Sequence, residues 1–555
     1  MPPHLRTGTR ADTTRGFQRP VAFWLGTATC TAGVVLHLPM YFGARHMHYH
    51  LAGMRPDPAM ILGMALIGAG LVVTLYGLLP RRGRQVQEAA AGIRVRALDD
   101  APIRAPHVLL LIVMAVAVTI DVMKPTSLAF VASGAAEEYG LRSPTHPDGG
   151  ISVAWLPLSG ITGTVLGSWM WGWLGDRIGR RASILFAGML FVTTSICGTM
   201  PSFTWNIVMC LVMGMGAGGM LPITFTLLAE TIPARHRGWL MVLVGGDIAG
   251  AYVITSWLAA ELTPTFGWRI LWLIGLPTGL VFLALNRWIP ESPRFLLARG
   301  RQKEAEAVMA RYGAAVVREK KNAPRTAAAS AADSPPGFRT LLRRGLVGPT
   351  LAITLLGIGA GLTTYGFQQW VPTNLEQMGF SNVNSAYVVR NAALLGLPLT
   401  VLTAWMYGKL GSRWTLIALS ALTGMTLFGF VIAGDALAHR QWLLSLLLVV
   451  PLSGISSVAA AVMGYAAEVY PTVVRSRGAG LAAGMTKIGG VLILALTVAA
   501  ATVPSLASTA LIGAVPLLAA ALALVRLAPE TKHRGLEDIS DTLMGERTGS
   551  SATPR

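Results

Sequence analysis

Charge is what this sequence has least of. Only 13% of its 555 residues are Asp, Glu, Lys or Arg, about half the share in ordinary soluble domains, while 53% are hydrophobic and the mean hydropathy is +0.55. That leaves too little polar surface to cover a soluble globule of this size, so lipid is the solvent for most of the chain. Acidic residues are rarer than basic ones, 26 against 45, for a net charge of +19. In a soluble protein this excess would point to nucleic acid. Here the basic residues occupy short segments between apolar runs, the pattern of cytoplasmic loops, and no nucleic-acid partner is implied. Cysteine is nearly absent: Cys30, Cys197 and Cys210 all lie in apolar stretches, which excludes a disulfide framework and leaves no zinc spacing. A nucleophile elbow, a phosphate loop and metal-ligand spacing are also missing, so the chain does not read as an enzyme and implies no cofactor or metal.

Long apolar runs are abundant. Stretches able to cross a hydrocarbon core, which takes ~20 helical residues, occur near 21–43, 59–79, 107–133, 151–172, 182–200, 203–229, 238–260, 267–289, 347–372, 384–407, 414–435, 441–467, 477–502 and 505–527. They predict an all-α membrane protein of fourteen spans. The first run follows Arg6, Arg10, Arg15 and Arg19, but it is too long for a signal peptide and no small-residue cleavage site follows. Basic loops follow the second span (Arg81, Arg82, Arg84, Arg94, Arg96, Arg104), the fourth (Arg177, Arg180, Arg181) and the eighth (Arg294 to Arg344). Their common parity places them, and both termini, in the cytoplasm of a cell-membrane protein.

The expected segmentation is a cytoplasmic segment 1–20, a two-helix hairpin 21–79, a basic linker 80–106, a six-helix half 107–290, a cytoplasmic linker 291–345, a second half 346–528 and a tail 529–555. Within the long linker a helical part, GRQKEAEAVMARYG, precedes an Ala-, Ser- and Pro-rich tract of flexible composition.

An internal repeat supports two related halves. GWLGDRIGRR, from Gly172 to Arg181, returns weakly as WMYGKLGSR from Trp405 to Arg413, aligning Gly179 with Gly411 and Arg181 with Arg413. AETIPARHRG carries Glu230, Pro233, Arg237 and Gly238; AEVYPTVVRSRG carries Glu468, Pro471 and Arg475 at the same offsets, with Gly478 shifted by two. Matching landmarks imply a duplicated six-helix unit.

At these residues the chain resembles the major facilitator superfamily, whose signature GxxxDRxGRR follows the second helix of a twelve-helix core. Trp268 and Arg269, PESPR at Pro290 to Arg294 and PETKHRGLED at Pro529 to Asp538 resemble its sugar-porter and organic-acid:proton symporter branches. The resemblance runs from about residue 107 to 539 and leaves the N-terminal hairpin outside it. It implies that Gly172, Gly175, Asp176, Arg177, Gly179, Arg180 and Arg181 form a latch steadying one access state, joined by Glu230, Arg237, Glu468 and Arg475. Gly408 stands where the second half would carry the aspartate, and Cys210 where sugar porters carry an arginine. GMGAGGMLP, from Gly214 to Pro222, reads as close helix packing rather than a ligand loop.

Ionisable residues deep in apolar spans are the sharpest candidates for substrate and proton binding, because each costs at least ~2.5 kcal/mol to insert unless it faces a cavity or partner. Asp121 and Lys124 share a face of the first core helix just before Pro125; they read as cavity-lining or as a buried ion pair. Asp247 in the fifth core helix and Lys487 in the eleventh complete the set. The aromatic-acid branch usually has two aspartates three apart, and Lys124 replaces the second. Lys487 lies near a cation of that branch, suited to a carboxylate, and Arg390 is a further cation that could serve or snorkel. TTYGFQQWVP supplies Tyr365, Gln368, Gln369 and Trp370, amides and aromatic faces that suit a ring-bearing acid or a sugar. His37, His46, His48 and His50 are expected in a plain interfacial loop of the hairpin.

The expectation is a secondary transporter, acting as a monomer on a small-molecule substrate and protons, with an organic anion favoured. A sugar or polyol porter, an exporter, or a non-transporting receptor on the same scaffold are the alternatives.

Overall fold

A computed structural model describes residues 19–79, 101–246, 248–314, 341–343, 345–433, 440–470, 475–500 and 505–531. Asp247, Gly172 and the side chains of Asp176, Arg237 and Arg475 lie outside the described residues. Among the described residues the only β pairing is two isolated bridges, Arg142 with Ser152 and Ser143 with His146. Everything else regular is helical, as a bilayer requires when backbone polar groups must be satisfied within one segment.

Two N-terminal helices, Pro20–Val35 and Pro58–Leu78, pack together as a hairpin. Their contact is close because both faces carry glycine: a Cβ built on Gly33 would lie 2.6 Å from the carbonyl oxygen of Gly63, and the reverse holds. The six helices of the first half follow. The first core helix is Ala105–Tyr139, the second Trp155–Ile178, the third Arg180–Thr194 with a 3₁₀ extension to Thr199, and the fourth Phe203–Thr231. The fifth runs as Ala234–Gly246 and Ile248–Phe266, and the sixth is built from Ile270–Leu273 and Gly275–Leu285.

In the second half the seventh core helix starts as Val347–Leu362 and restarts as Val371–Gln377. Asn382–Lys409, Ser412–Ala433, Gln441–Val469, Arg475–Ala500 and Leu506–Leu527 are the eighth to twelfth.

Thirteen of the described helical segments are long and apolar enough to cross a membrane. The expected span near 151–172 corresponds to Trp155–Ile178, which is 24 residues long but interspersed with Gly, Ser and Thr and so less apolar than the others. Local chemistry sets the ends. Asp57, Ser202, Ser381 and Ser505 cap helix N-termini through their side-chain oxygens, and Gly140 closes the first core helix at φ 63°.

The two halves differ in what surrounds them. The most apolar stretch of the third core helix is 100% buried, against 39% for its repeat counterpart Ser412–Ala433. The hairpin accounts for part of this difference, since both of its helices pack on the third core helix and shield it from lipid.

Candidate functional site

Asp121 lies midway along the first core helix and is 2% exposed, with Oδ1 lacking any hydrogen-bond partner. Pro125, four residues on, has no N–H to give the Asp121 carbonyl, so the backbone there is also one bond short. From the other half, Asp121 interacts electrostatically with Lys487 of the eleventh core helix and with Tyr365 of the seventh. An acid from one half and a base from the other are thus within electrostatic range of each other, without an ion pair between them.

Lys487 reaches into the first half. Its ammonium donates to the carbonyls of Thr164 (3.2 Å) and Gly218 (3.4 Å) and to the hydroxyl of Ser168. These acceptors sit on the second and fourth core helices, so Lys487 bridges the halves, and among the described residues no carboxylate is in direct contact with it. The close approach of the seventh and eleventh helices has a sequence cause: Gly490 leaves the space that the Tyr365 ring fills.

Lys124 turns the other way. Its Nζ donates to Phe191 O at 2.5 Å and Thr194 Oγ1 at 3.0 Å, both on the third core helix. Gly275 of the sixth core helix gives it room, since a Cβ there would collide with the lysine's Cε and Nζ. Asp121 and Lys124 therefore make no ion pair, although three residues apart on one helix.

The seventh core helix breaks its regular pattern at the candidate residues. A π turn spans Thr363–Phe367 and a 3₁₀ turn spans Gln368–Trp370; such irregularities recur at functional sites because they redirect side chains and free backbone groups. Gln368 is anchored, donating from Nε2 to Pro451 O (2.8 Å) and Leu452 O (3.0 Å), with Tyr252 OH near its Oε1 at 3.5 Å. Gln369 Nε2, Trp370 Nε1, Thr373 Oγ1 and Asn374 Nδ2 are buried without partners. Three of these four are obligate donors, so this segment presents hydrogen bonds that the protein itself does not accept. Arg390, by contrast, is engaged with Asn391 Oδ1 at 2.8 Å and with the Tyr387 ring.

At one end of the bundle the repeated loop motifs close around carboxylates. Gly179, at φ 99°, turns the chain so that Glu291 accepts from the backbone N–H of Arg180 (2.8 Å), Arg181 (3.4 Å) and Ser292 (3.0 Å). Ser292 donates its hydroxyl to Glu230, which also lies 3.9 Å from the Arg180 guanidinium. Arg181 is fixed by Asn286 Oδ1 at 2.7 Å, and Arg177 offers its carbonyl to Arg299 at 2.8 Å. Gly175 gives its carbonyl to Arg180 at 3.3 Å.

The second half repeats the scheme: Gly411 has φ 106°, Glu530 accepts from Ser412 Oγ (3.3 Å) and Thr531 N (3.0 Å), and Thr531 donates to Glu468 at 2.6 Å. Burial pushes the carboxyls of Glu291 and Glu468 above the usual glutamate range. Glu291 and Glu530 were visible in the sequence only as members of PES and PET. Their matching offsets in the two halves were the signal that would have assigned them.

The opposite end of the bundle holds a pair that sequence reasoning missed. Glu138 and Arg269 form a 2.7 Å ion pair with side chains 1% and 0% exposed. Trp268 Nε1 donates to the same carboxylate at 2.8 Å, and Arg269 also reaches Tyr139 OH (2.7 Å) and Met200 O (2.9 Å). The hairpin loop joins in through the backbone N–H of Leu51 (2.6 Å) and Ala52 (2.9 Å), both bonded to Glu138. Tyr41 OH donates to Phe266 O at 2.6 Å. The signal was the acidic pair in AAEEYG at the end of an apolar run. His37 is buried inside the hairpin with Nδ1 2.8 Å from Gly33 O, apart from exposed His46, His48 and His50.

Contacts between the halves occur above and below the central acid and base. At the end of the bundle that holds Glu138, Ser133 and Asn382 share Glu376 (3.2 and 2.9 Å) and Tyr387 donates to Glu261 (2.8 Å). At the end that holds the loop motifs, a Cβ on Gly238 would lie 3.3 Å from Glu468 Oε1.

Known proteins share this architecture. The niacin transporter NiaP of Acinetobacter baylyi is 28% identical over 456 residues, covering 80% of this chain and 99% of its own. The putative niacin/nicotinamide transporter NiaP of Bacillus subtilis is 26% identical over 423 residues, covering 75% and 94%. Among solved structures, the proton:xylose symporter XylE of E. coli bound to 6-bromo-6-deoxy-D-glucose superposes with a TM-score of 0.60 at 19% identity, over 78% of this chain and 98% of that one. The structure above shares its fold with this chain; the family model for sugar (and other) transporters matches residues 130–543, and the chain is accordingly a multi-pass member of that transporter family.

Proposed function

We propose that the chain is a proton-coupled symporter of a small organic monoanion in the cell membrane, with both termini cytoplasmic. One observation carries the reading: a buried, partly unpartnered aspartate on one half stands within electrostatic reach of a lysine that crosses from the other. An ionised Asp121 holds the positive charge of Lys487 in check, and protonation frees that charge for a substrate carboxylate. Proton and anion then bind cooperatively. Tyr365 supplies an aromatic face within electrostatic reach of Asp121, and Gln369 and Trp370, on the turn that follows it, supply free donors. A ring carboxylate of the size of niacin, the substrate named for the NiaP relatives, is the first candidate. Asp247, in the fifth core helix, is kept as a second proton-binding candidate on its sequence position. The latch residues Gly172, Asp176, Arg237 and Arg475 are assigned to balancing the access states on the strength of the motif.

The unpartnered amide and indole donors of the seventh helix also favour a second reading, a sugar or polyol with one proton. Flux into proteoliposomes separates the two when pH gradient and membrane potential are imposed independently. A monoanion entering with one proton moves no net charge, so the potential, worth about 2.3 kcal/mol per charge per 100 mV, does not drive it. Labelled niacin accumulating on a pH gradient alone supports the first reading. Potential-driven sugar flux with no anion uptake overturns it.

A further inference from the structure

Lys124 is a buried ammonium without a counter-ion. It is 5% exposed, and among the described residues no carboxylate lies within ion-pair distance of it. Asp121 couples to Lys487 instead, and the titratable groups felt by Lys124 are the thiols of Cys197 and Cys210. The ammonium carries three donors, of which Phe191 O and Thr194 Oγ1 take two. Phe191 belongs to the last turn of Arg180–Thr194, so the charge rests at the negative end of a helix. That end is worth about half an elementary charge and leaves the rest uncompensated.

Beside the lysine is a small cavity walled by Met123, Ser127, Thr255, Leu271, Ile274 and Thr278, and by Lys124 itself. Ser127 and Thr278 already donate their hydroxyl protons to the carbonyls of Lys124 (2.6 Å) and Ile274 (2.8 Å). Thr255 is different: it is 3% exposed and its Oγ1 has no partner. The cavity therefore combines an unneutralised cation with a free hydroxyl donor, and among the described residues its lining holds no acid and is otherwise apolar apart from the two engaged hydroxyls. Its size suits a water molecule or a monatomic ion and not a ring-bearing solute.

We infer that this cavity binds one small monovalent anion of halide size, which neutralises Lys124 within the first half and is distinct from the solute site. The walls come from the first, fifth and sixth core helices and the supporting carbonyl from the third, so nothing in the second half is needed. The inference stands whether or not the transported solute is an anion.

The test is thermal unfolding of the full-length protein in detergent at fixed pH and ionic strength, titrated with chloride, bromide, formate or gluconate. Chloride and bromide should raise the midpoint saturably by ~2–4 °C, and gluconate, too large to enter, should not. Formate raising it equally would extend the site to small carboxylates, and formate without effect would restrict it to halides. Lys124→Met should abolish the response and Thr255→Val should weaken it at least fivefold in apparent affinity, while Lys487→Gln leaves it intact. Identical midpoints in chloride and gluconate overturn the inference and leave water as the occupant. A response lost in Lys487→Gln but kept in Lys124→Met would move the anion to the solute site. If Lys124→Met does not fold, a folded Thr255→Val with the full wild-type response decides against the inference.

Discussion

At the scale of single residues, the candidate site divides by the direction its charges face. Asp121 looks across the interface and Lys124 into its own half, a division that three-residue spacing alone does not reveal. Helical geometry places both on one flank of the helix, but the small residue that decides the outcome, Gly275, is 151 positions further along. The buried ions Asp121, Lys124 and Lys487 were legible, because a charge in the middle of an apolar run stands out; Glu138, at the end of one, and the partners of all of them were not. Two substitutions test the proposed roles. Asp121→Asn, resembling the protonated acid, should retain anion binding with a flattened pH dependence, yet lose accumulation of solute against a gradient. Wild-type accumulation by this variant would make Asp121 structural. Lys487→Gln should weaken anion affinity by ~30-fold or more, the consequence of removing one partner of a desolvated charge contact worth about 2 kcal/mol or above. An unchanged dissociation constant would remove Lys487 from the site.

Individual elements show where the repeat is kept and where it is broken. The glycine turn, helix start and carboxylate cage recur at Gly179 with Glu291 and at Gly411 with Glu530; the short motifs announced the turns but not the cages, whose carboxylates come from more than 100 residues away. Because burial raises the Glu468 carboxyl, its protonated form favours the folded cage. That contribution is complete below the ordinary glutamate value near pH 4.5 and fades as pH climbs through the raised one. Glu468→Gln, which keeps an acceptor for Thr531, should therefore flatten the gain in thermal stability that the wild type shows on acidification from neutral pH. An unaltered pH profile would mean that Glu468 does not titrate in the cage.

The hairpin breaks the symmetry, and the sequence marked it as extra without indicating its seat. It covers the third core helix and donates two backbone N–H groups to Glu138. Removing residues 1–100 should leave inserted protein with reduced but measurable transport and a lower unfolding midpoint. Loss of all solute binding from well-inserted protein would place the hairpin in the substrate path.

For the whole molecule, the decisive feature is that the two halves touch on both sides of one buried acid and base. Ser133 and Asn382 meet at 3.1 Å at the end that holds Glu138, and deeper in the bundle a Cβ on Gly246 would lie 3.4 Å from the Thr400 Cβ, near the separation a disulfide requires. Rigid-body rocking needs each of these contacts to part in turn while the other holds. Closing either one covalently should then stop transport. The experiment is favoured by the composition, since the native cysteines Cys30, Cys197 and Cys210 are all buried and react poorly from an apolar setting. Ser133→Cys with Asn382→Cys, joined by a short thiol cross-linker, should abolish flux, and so should an oxidised Gly246→Cys with Thr400→Cys. Both should recover on release of the link, and each single-cysteine variant should transport throughout. The two locks are expected to differ in binding: the outer link admits solute only from the cytoplasm and the inner link only from outside. Full flux through either locked protein would show that the halves do not separate at that side, and the rocking scheme would have to give way to local gating by single helices.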